Sequence, residues 1–333
     1  QQESMRAALY EPNASGAAVP QLGELPRPEP AAGEVRVRLC RAGVNRADAV
    51  GRGHVGTQAP PLAAPAVPHN DGAGVIDAVG EGVSPQRLGE RVWLWHAGGA
   101  RALGTAAQWI ALPAGQAVAL PDGVAMDAGA CLGSAALAAM HAVLLDGGVT
   151  GQRVLVAGGA GVVGHYAVQF ARLAGARQVV ASVSSPLKAG IALDAGAHAA
   201  INYREEDVAQ RLRGLTSGQG VDRIVEIDLA ANAALDFAVL RRGGEIVVVG
   251  STVAQIALPF AAAMRGLASL RFFDVHELRA ADRRRAIAEL QAWLERGLIR
   301  HHIAVCLPLA HIAQAHALVA SGQAVGRVLL ALD

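Results

Sequence analysis

Cysteine is scarce. Cys40, Cys131 and Cys306 are scattered through 333 residues. No two share a Cys-x-x-Cys spacing, so a structural zinc lobe has no ligand set. The odd, unpatterned count excludes a disulfide scaffold and suits a reducing compartment, so a cytoplasmic location is expected. Aromatic residues make up only 4% against 52% hydrophobic residues. The core must therefore be built from Ala, Val, Leu and Ile, which fits a buried parallel sheet. Neither sign of charge dominates, the formal net charge being +1. The densest basic cluster, Arg283-Arg284-Arg285, lies in a segment that reads as a surface helix, so a nucleic-acid partner is not expected. There is no signal peptide and no run of about 18 apolar residues, so no membrane partner is expected either. No Ser–His–Asp arrangement points to nucleophilic catalysis.

What is present has two rhythms, and a chain of this length predicts two domains. Up to about residue 124, short strands are broken by Gly and Pro: "EVRVRLCRAGV" (34–44), "GVIDAVGEGV" (74–83), "RVWLW" (91–95) and "AAQWIAL" (106–112). A helix is predicted over 135–146, and from Arg153 strands and helices alternate. That alternation predicts right-handed βαβ units and a doubly wound parallel sheet of the Rossmann type. "SLRFFDV" (269–275) closes the series, a helix follows over 279–296, and "GRVLLAL" (326–332) reads as a strand returning to the first domain.

"VLVAGGAGVVG" (154–164) holds Gly159-Ala160-Gly161-Val162-Val163-Gly164, a Gly-x-Gly-x-x-Gly between an apolar strand and a helix. In that context the glycines admit a pyrophosphate to the helix N-terminus. An NAD site places Asp or Glu at the end of the second strand. Here that strand ends in Ser182, Ser184 and Ser185, with Lys188 following. Two like charges 4 Å apart repel by about 4 kcal/mol at an effective dielectric near 20, which approaches a thousandfold in affinity. The missing acid therefore admits a 2′-phosphate and Lys188 favours it, so NADPH is the expected cofactor. Trp95 and His96 end a strand of the first domain and are candidates to line a substrate pocket, as is Phe273.

These residues resemble the medium-chain dehydrogenase/reductase superfamily, in its zeta-crystallin-like quinone oxidoreductase branch. The resemblance is carried by "AGVNRAD" (42–48), "GAGVIDAVGEGV" (72–83), "GERVW" (89–93), "GTAAQWIALP" (104–113), "AINYREED" (200–207) and "RRGGEIVVVGS" (241–251). It implies a GroES-like, mostly-β catalytic domain from 5–124 and 262–333, around an NADP-binding domain at 125–261. It also implies cofactor contacts from Tyr203, Gly250, Ser251, Val325 and Asn45, and a homodimer in which the strand near 269–275 meets its copy. A flat apolar edge such as "SLRFF" needs covering.

In the zinc alcohol dehydrogenases of the superfamily a Gly-His-Glu loop holds the metal. This chain has His69-Asn70-Asp71 at the same spacing. Asn70 stands at the histidine ligand, Asn45 at the first cysteine ligand, and His69 at the family's glycine. Amides are poor zinc ligands, so no metal is expected, and Asp71 reads as a turn-capping residue. A site shifted to His69, Asp71 and Cys131 is the alternative. Without a Lewis acid the hydride acceptor must be activated by its own conjugation, as a quinone or an enone is. Asn45 and Arg52 are the expected catalytic residues, Arg52 by its match to the family's Ile-Arg-Ser-Gly segment. Val50, Gly56 and Ala138 depart from related quinone reductases and leave quinone and enone both open. A zinc-independent alcohol dehydrogenase and a non-catalytic NADPH-binding module for RNA or protein are the competing readings.

Overall fold

The structure is a computed structural model that describes residues 3–11, 19–50, 65–99, 101 and 103–332. Arg52 and Gly56 lie outside the described residues. The chain divides into two units: Gln1–Ser134, Leu294–Gly297 and His301–Asp333 form the first, and Ala135–Trp293 with Leu298–Arg300 the second.

The first unit begins with β1 (Ser4–Leu9) and β2 (Gln21–Pro26), an antiparallel pair. Then come β3 (Glu34–Val44), the one-turn helix α1 (Arg46–Ala49), β4 (Asp71–Val79), β5 (Arg91–Leu94), β6 (Trp109–Pro113), β7 (Ala117–Ala119) and α2 (Met126–Gly129). β3 is the spine, pairing antiparallel with β4 and β6. Its alternate residues Val35, Val37 and Leu39 enter the core, as a strand with one covered face requires. β4 starts at Asp71 rather than at the expected residue 74, because Asp71 already pairs with Gly43. β6 starts at Trp109 rather than at 106, since Ala106 and Ala107 bond to Pro68 and bridge to β1 instead.

The second unit runs α3 (Leu137–Leu144), β8 (Arg153–Val156), α4 (Val162–Leu173), β9 (Gln178–Val183), α5 (Pro186–Asp194), β10 (Ala199–Asn202), α6 (Val208–Leu215), β11 (Val221–Glu226), α7 (Leu229–Val239), β12 (Leu240–Val248), α8 (Phe260–Gly266), β13 (Ser269–Phe272) and α9 (Ala280–Glu295). The six strands lie parallel in the order β10-β9-β8-β11-β12-β13, which is the doubly wound order with its switch point between β8 and β11. Val154, Leu155 and Val156 of β8 are all buried, as expected for a strand covered on both faces.

The chain then returns to the first unit as β14 (Ile303–Pro308), α10 (Ile312–Ala320) and β15 (Arg327–Ala331). β15 pairs antiparallel with β3 and parallel with β14. The expected boundary at 261/262 needs correction. Residues up to Trp293 belong to the second unit, because β13 needs a ladder partner for its backbone groups and finds it in β12. At the other boundary, 125–134 belong to the first unit. Among the described residues no helix is long and apolar enough to cross a membrane.

Candidate functional site

In the second unit the glycine turn leaves β8 at the switch point and opens α4. A Cβ at Gly159 would fall 2.4 Å from the Ala181 side chain, and one at Gly164 would fall 2.1 Å from the Gly158 carbonyl oxygen. Gly161 is the N-cap of α4 and supplies no side-chain acceptor. The first N–H groups of this twelve-residue helix, from Val162 and Val163 on, therefore point with its positive dipole end toward the mouth of the turn. Ala160 is buried between the glycines. These residues fit a dinucleotide pyrophosphate.

The serines after β9 divide the work. Ser182 is buried, and its Oγ accepts a hydrogen bond from the Gly158 N–H (3.2 Å), so it braces the turn. Ser185 caps α5, accepting from the Lys188 N–H (3.2 Å). The Lys188 ammonium donates to the Ser184 hydroxyl at 3.0 Å. Lys188 is the only lysine in the chain. Tyr203 follows β10 and is 53% exposed. Gly250 and Ser251 follow β12; the Gly250 carbonyl accepts from the Leu229 N–H, and the Ser251 hydroxyl donates to the Val253 carbonyl. Phe273 packs edge-on against His141, ring centroids 4.7 Å apart, within this unit.

The first unit carries a buried polar cluster on β3, β4, α10 and β15. The Arg327 guanidinium forms an ion pair with Asp71 and donates to the Asn45 Oδ1 at 2.7 Å. The Asn45 amide nitrogen donates to Asp71 Oδ2 (3.1 Å), the oxygen that Arg327 also contacts, and Ser134 Oγ donates to Asp71 Oδ1 (2.5 Å). Asp71 is 0% exposed. Asp48 of α1 accepts from the Asn45 N–H at 2.8 Å, and burial pushes its carboxyl up to about 6. The sequence predicts that Asp71 caps or hydrogen-bonds its local turn. Its carboxylate is instead the acceptor at the centre of this cluster, with its own carbonyl receiving the Thr105 hydroxyl. Arg327, Ser134, Asp48 and His316 escaped the sequence reading, because a lone polar residue beside an apolar run carries no local signal of burial.

The positions that match zinc ligands are committed elsewhere. The two ends of the Asn45 amide serve Arg327 and Asp71, the Asn70 Oδ1 accepts from the Gly98 N–H (3.0 Å), and the Cys131 thiol donates to the Asp127 carbonyl (3.2 Å). Among the described residues no group of three or more His, Cys, Asp or Glu side chains is placed to hold a metal ion. These donors do not fit a zinc ion. Trp95 donates from its indole to the Gly115 carbonyl, and the carbonyls of Trp95 and His96 both accept from the Gln116 amide. Val325 is half-buried in the first unit, just ahead of β15.

His69 is buried and adopts φ +79°, the left-handed region that favours glycine. That backbone costs about 1–2 kcal/mol for a residue with a Cβ. The ring is held by His316 of α10, the two Nε2 atoms 2.8 Å apart. One ring must donate and the other accept, so at least one ring must stay neutral for the contact to hold. Burial, helped by the Arg327 charge, lowers the His69 pKa to about 3; burial, helped by His69, lowers that of His316 to about 4. In the unfolded chain both take up protons near about 6.5. The native state thus binds fewer protons, and stability present above about pH 6.5 is lost as pH falls toward 4, on the order of 3 kcal/mol for each ring. Asp48 acts in the opposite sense, its raised pKa adding stability as pH falls below about 6. We therefore expect the urea midpoint to fall between about pH 7 and pH 4.5, and His316→Gln to reduce that fall. Equal slopes in the two proteins would remove the pair as its cause.

Two family descriptions match the chain: "Alcohol dehydrogenase GroES-like domain" over residues 31–122 and "Zinc-binding dehydrogenase" over residues 162–292. The quinone oxidoreductase of Sus scrofa is 30% identical over 311 residues, covering 92% of this chain and 91% of that protein. A solved NAD-dependent alcohol dehydrogenase superposes with a TM-score of 0.86 at 27% identity, covering 99% of this chain and 100% of that one. A mycobacterial protein solved in complex with NADPH gives a TM-score of 0.84 at 26% identity, covering 98% and 99% of the two chains. With this turn, this sheet order and these relatives, the chain is an oxidoreductase and belongs to the medium-chain dehydrogenase/reductase superfamily, in its quinone oxidoreductase branch.

Proposed function

We propose that this is a zinc-independent, NADPH-dependent oxidoreductase that reduces a quinone or a conjugated enone, working in the cytoplasm as a homodimer. The observation that carries the reading is the commitment of Asn45 and Asn70 to Arg327 and Gly98 at the two positions where zinc would be ligated. With no Lewis acid to polarise a simple carbonyl, the acceptor must stabilise the added charge by its own delocalisation. When bound, NADPH supplies the hydride. The chain's share is to bind and orient. The α4 N-terminus takes the pyrophosphate, Lys188 with Ser184 takes the 2′-phosphate, and Tyr203, Gly250, Ser251 and Val325 complete the proposed contacts. Asn45, whose amide is held at both ends, is the proposed polar contact to the nicotinamide or the substrate oxygen. Arg52 is the second proposed catalytic residue, and Trp95, His96 and Phe273 are the proposed pocket residues.

The dimer is supported by β13, a sheet edge paired only with β12 among the described residues. Phe272 on that edge is 67% exposed, and Phe260 and Met264 of α8 are exposed as well. An unpaired apolar edge of this kind calls for a second copy; sedimentation velocity reads the mass directly. The function is tested by stopped-flow NADPH oxidation with small quinones and alkenals, before and after exhaustive chelation. Turnover that survives chelation is expected. Absence of turnover with every electrophile would sink the proposal, and alcohol-dependent NADP+ reduction would favour an alcohol dehydrogenase instead.

A further inference from the structure

We infer that Glu226 and Asp236 share one buried proton and so hold in place the lip formed by Asp228 and Thr252, which makes them positioning residues for the dinucleotide. The inference rests on the cofactor reading above and adds residues that the reading does not use.

Glu226 ends β11 and is 0% exposed; Asp236 lies on α7 and is 1% exposed. Asn232 and Asp236 are four apart on that helix, so both present to the same side. One oxygen of Glu226 is satisfied twice, by the Asp228 N–H at 2.6 Å and the Asn232 amide at 2.9 Å. The other, Oε2, is buried and receives no donor, and neither does Oδ2 of Asp236. An ionised carboxylate only accepts, so two that face each other can be joined only by a proton. Burial, with the charge of Glu226 next in effect, pushes the Asp236 carboxyl up to about 9.

Among the described residues, the elements packed on α7 offer no cation in compensation. Of the elements packed on α7, β11 presents Arg223, which is paired with Glu245 of β12. Arg241 of β12 is paired with Asp222, and Arg211 of α6 with Glu206. Arg213 of α6 and Arg242 of β12 are exposed, and Arg265 of α8 gives its carbonyl to Arg242. The charge that raises Asp236 is that of Glu226.

The pair connects directly to the cofactor side of the sheet. The Asp228 N–H that Glu226 receives fixes a turn whose carboxylate accepts from the Thr252 N–H (2.9 Å) and hydroxyl (3.0 Å). The Glu226 carbonyl accepts from the Val249 N–H, and the Gly250 carbonyl from the Leu229 N–H. These groups lie at the C-terminal ends of β11 and β12, and a Cβ on Gly158 of the glycine turn would fall 2.5 Å from Ile227. This is the sheet edge where a doubly wound fold receives its nucleotide. Loss of the shared proton sets two carboxylates against each other, draws Glu226 from the Asp228 N–H and loosens the 250–252 segment.

The test is NADPH binding to the full chain, titrated by cofactor fluorescence at about pH 7.5 and about pH 9.5. The wild type is expected to lose about tenfold more affinity across that interval than Asp236→Asn or Glu226→Gln, each of which removes the second carboxylate charge. The ratio of wild type to variant is the readout, whatever the absolute affinities. Infrared difference spectra of the wild type should show the carbonyl band of a protonated carboxylic acid at neutral pH, lost on alkaline titration. Binding at neutral pH with equal alkaline losses in wild type and both variants overturns the inference and leaves the cofactor reading standing. Absence of the infrared band overturns the shared proton even if no variant folds. No binding at neutral pH overturns the cofactor reading itself, and the positioning role with it.

Discussion

Arg327→Met is expected to destabilise the protein by about 3–5 kcal/mol, read as a lower urea midpoint at unchanged slope. The change leaves the Asp71 carboxylate at 0% exposure without its cation. It also takes a donor from Asn45, whose other partner is that same carboxylate. Methionine keeps much of the volume, so the loss reports charge and hydrogen bonding rather than a cavity. Arg327→Lys should recover only part of the loss, because one ammonium cannot fork to Asp71 and Asn45 in the guanidinium geometry. Adding Asp71→Asn to Arg327→Met should recover more, since the orphaned charge then disappears. A loss below about 1 kcal/mol for Arg327→Met would mean that water reaches Asp71 and that the cluster is not the sealed unit described.

Lys188→Glu is expected to lower NADPH affinity by about a hundredfold or more and to leave NADH affinity within a few-fold. The ammonium sits 3.0 Å from Ser184 Oγ at the end of β9, where no carboxylate opposes a 2′-phosphate. Reversing its sign replaces attraction by repulsion, worth about 4 kcal/mol at contact distance and an effective dielectric near 20, less for a half-exposed group. Side-by-side titration with the two cofactors checks this. Parallel losses would point to damage to α5, and unchanged NADPH binding would place the phosphate elsewhere. Because Lys188 is the chain's only lysine, amine-directed acylation should label it alone beside the N-terminus, and NADPH should protect it.

Much of the second unit was open to reading from the sequence. The second strand of the alternation is expected to end among Ser182, Ser184 and Ser185, and β9 ends at Val183, where turn residues close its apolar run. The glycine turn was legible for the same local reason: a few adjacent residues carry the whole device. Predicting β13 from "SLRFF" also succeeded, but its allegiance did not follow from the pattern, since an edge strand reads alike whichever unit it joins. In the first unit β3 was bounded correctly at 34–44, whereas β14 and α10 were not predicted at all. "IAQAHALVA" lacks the polar contrast that would mark a helix face, and α10 is the element that delivers His316.

The loop "VPHNDGAG" shows where local reading stops. Its spacing places the chain beside relatives that bind zinc and shows that one ligand position, Asn70, holds an amide. It could not show that His69 accepts a glycine backbone for the sake of a partner 247 residues away, or that Arg327 reaches back 256 residues to Asp71 and 282 to Asn45. Strand and helix periods are set by neighbours within a few residues, and so they are written in the chain itself. The pairing of buried charges is settled by which strands lie side by side in a folded sheet. Burial strips away water and compels each polar group to find whatever partner the topology has brought near.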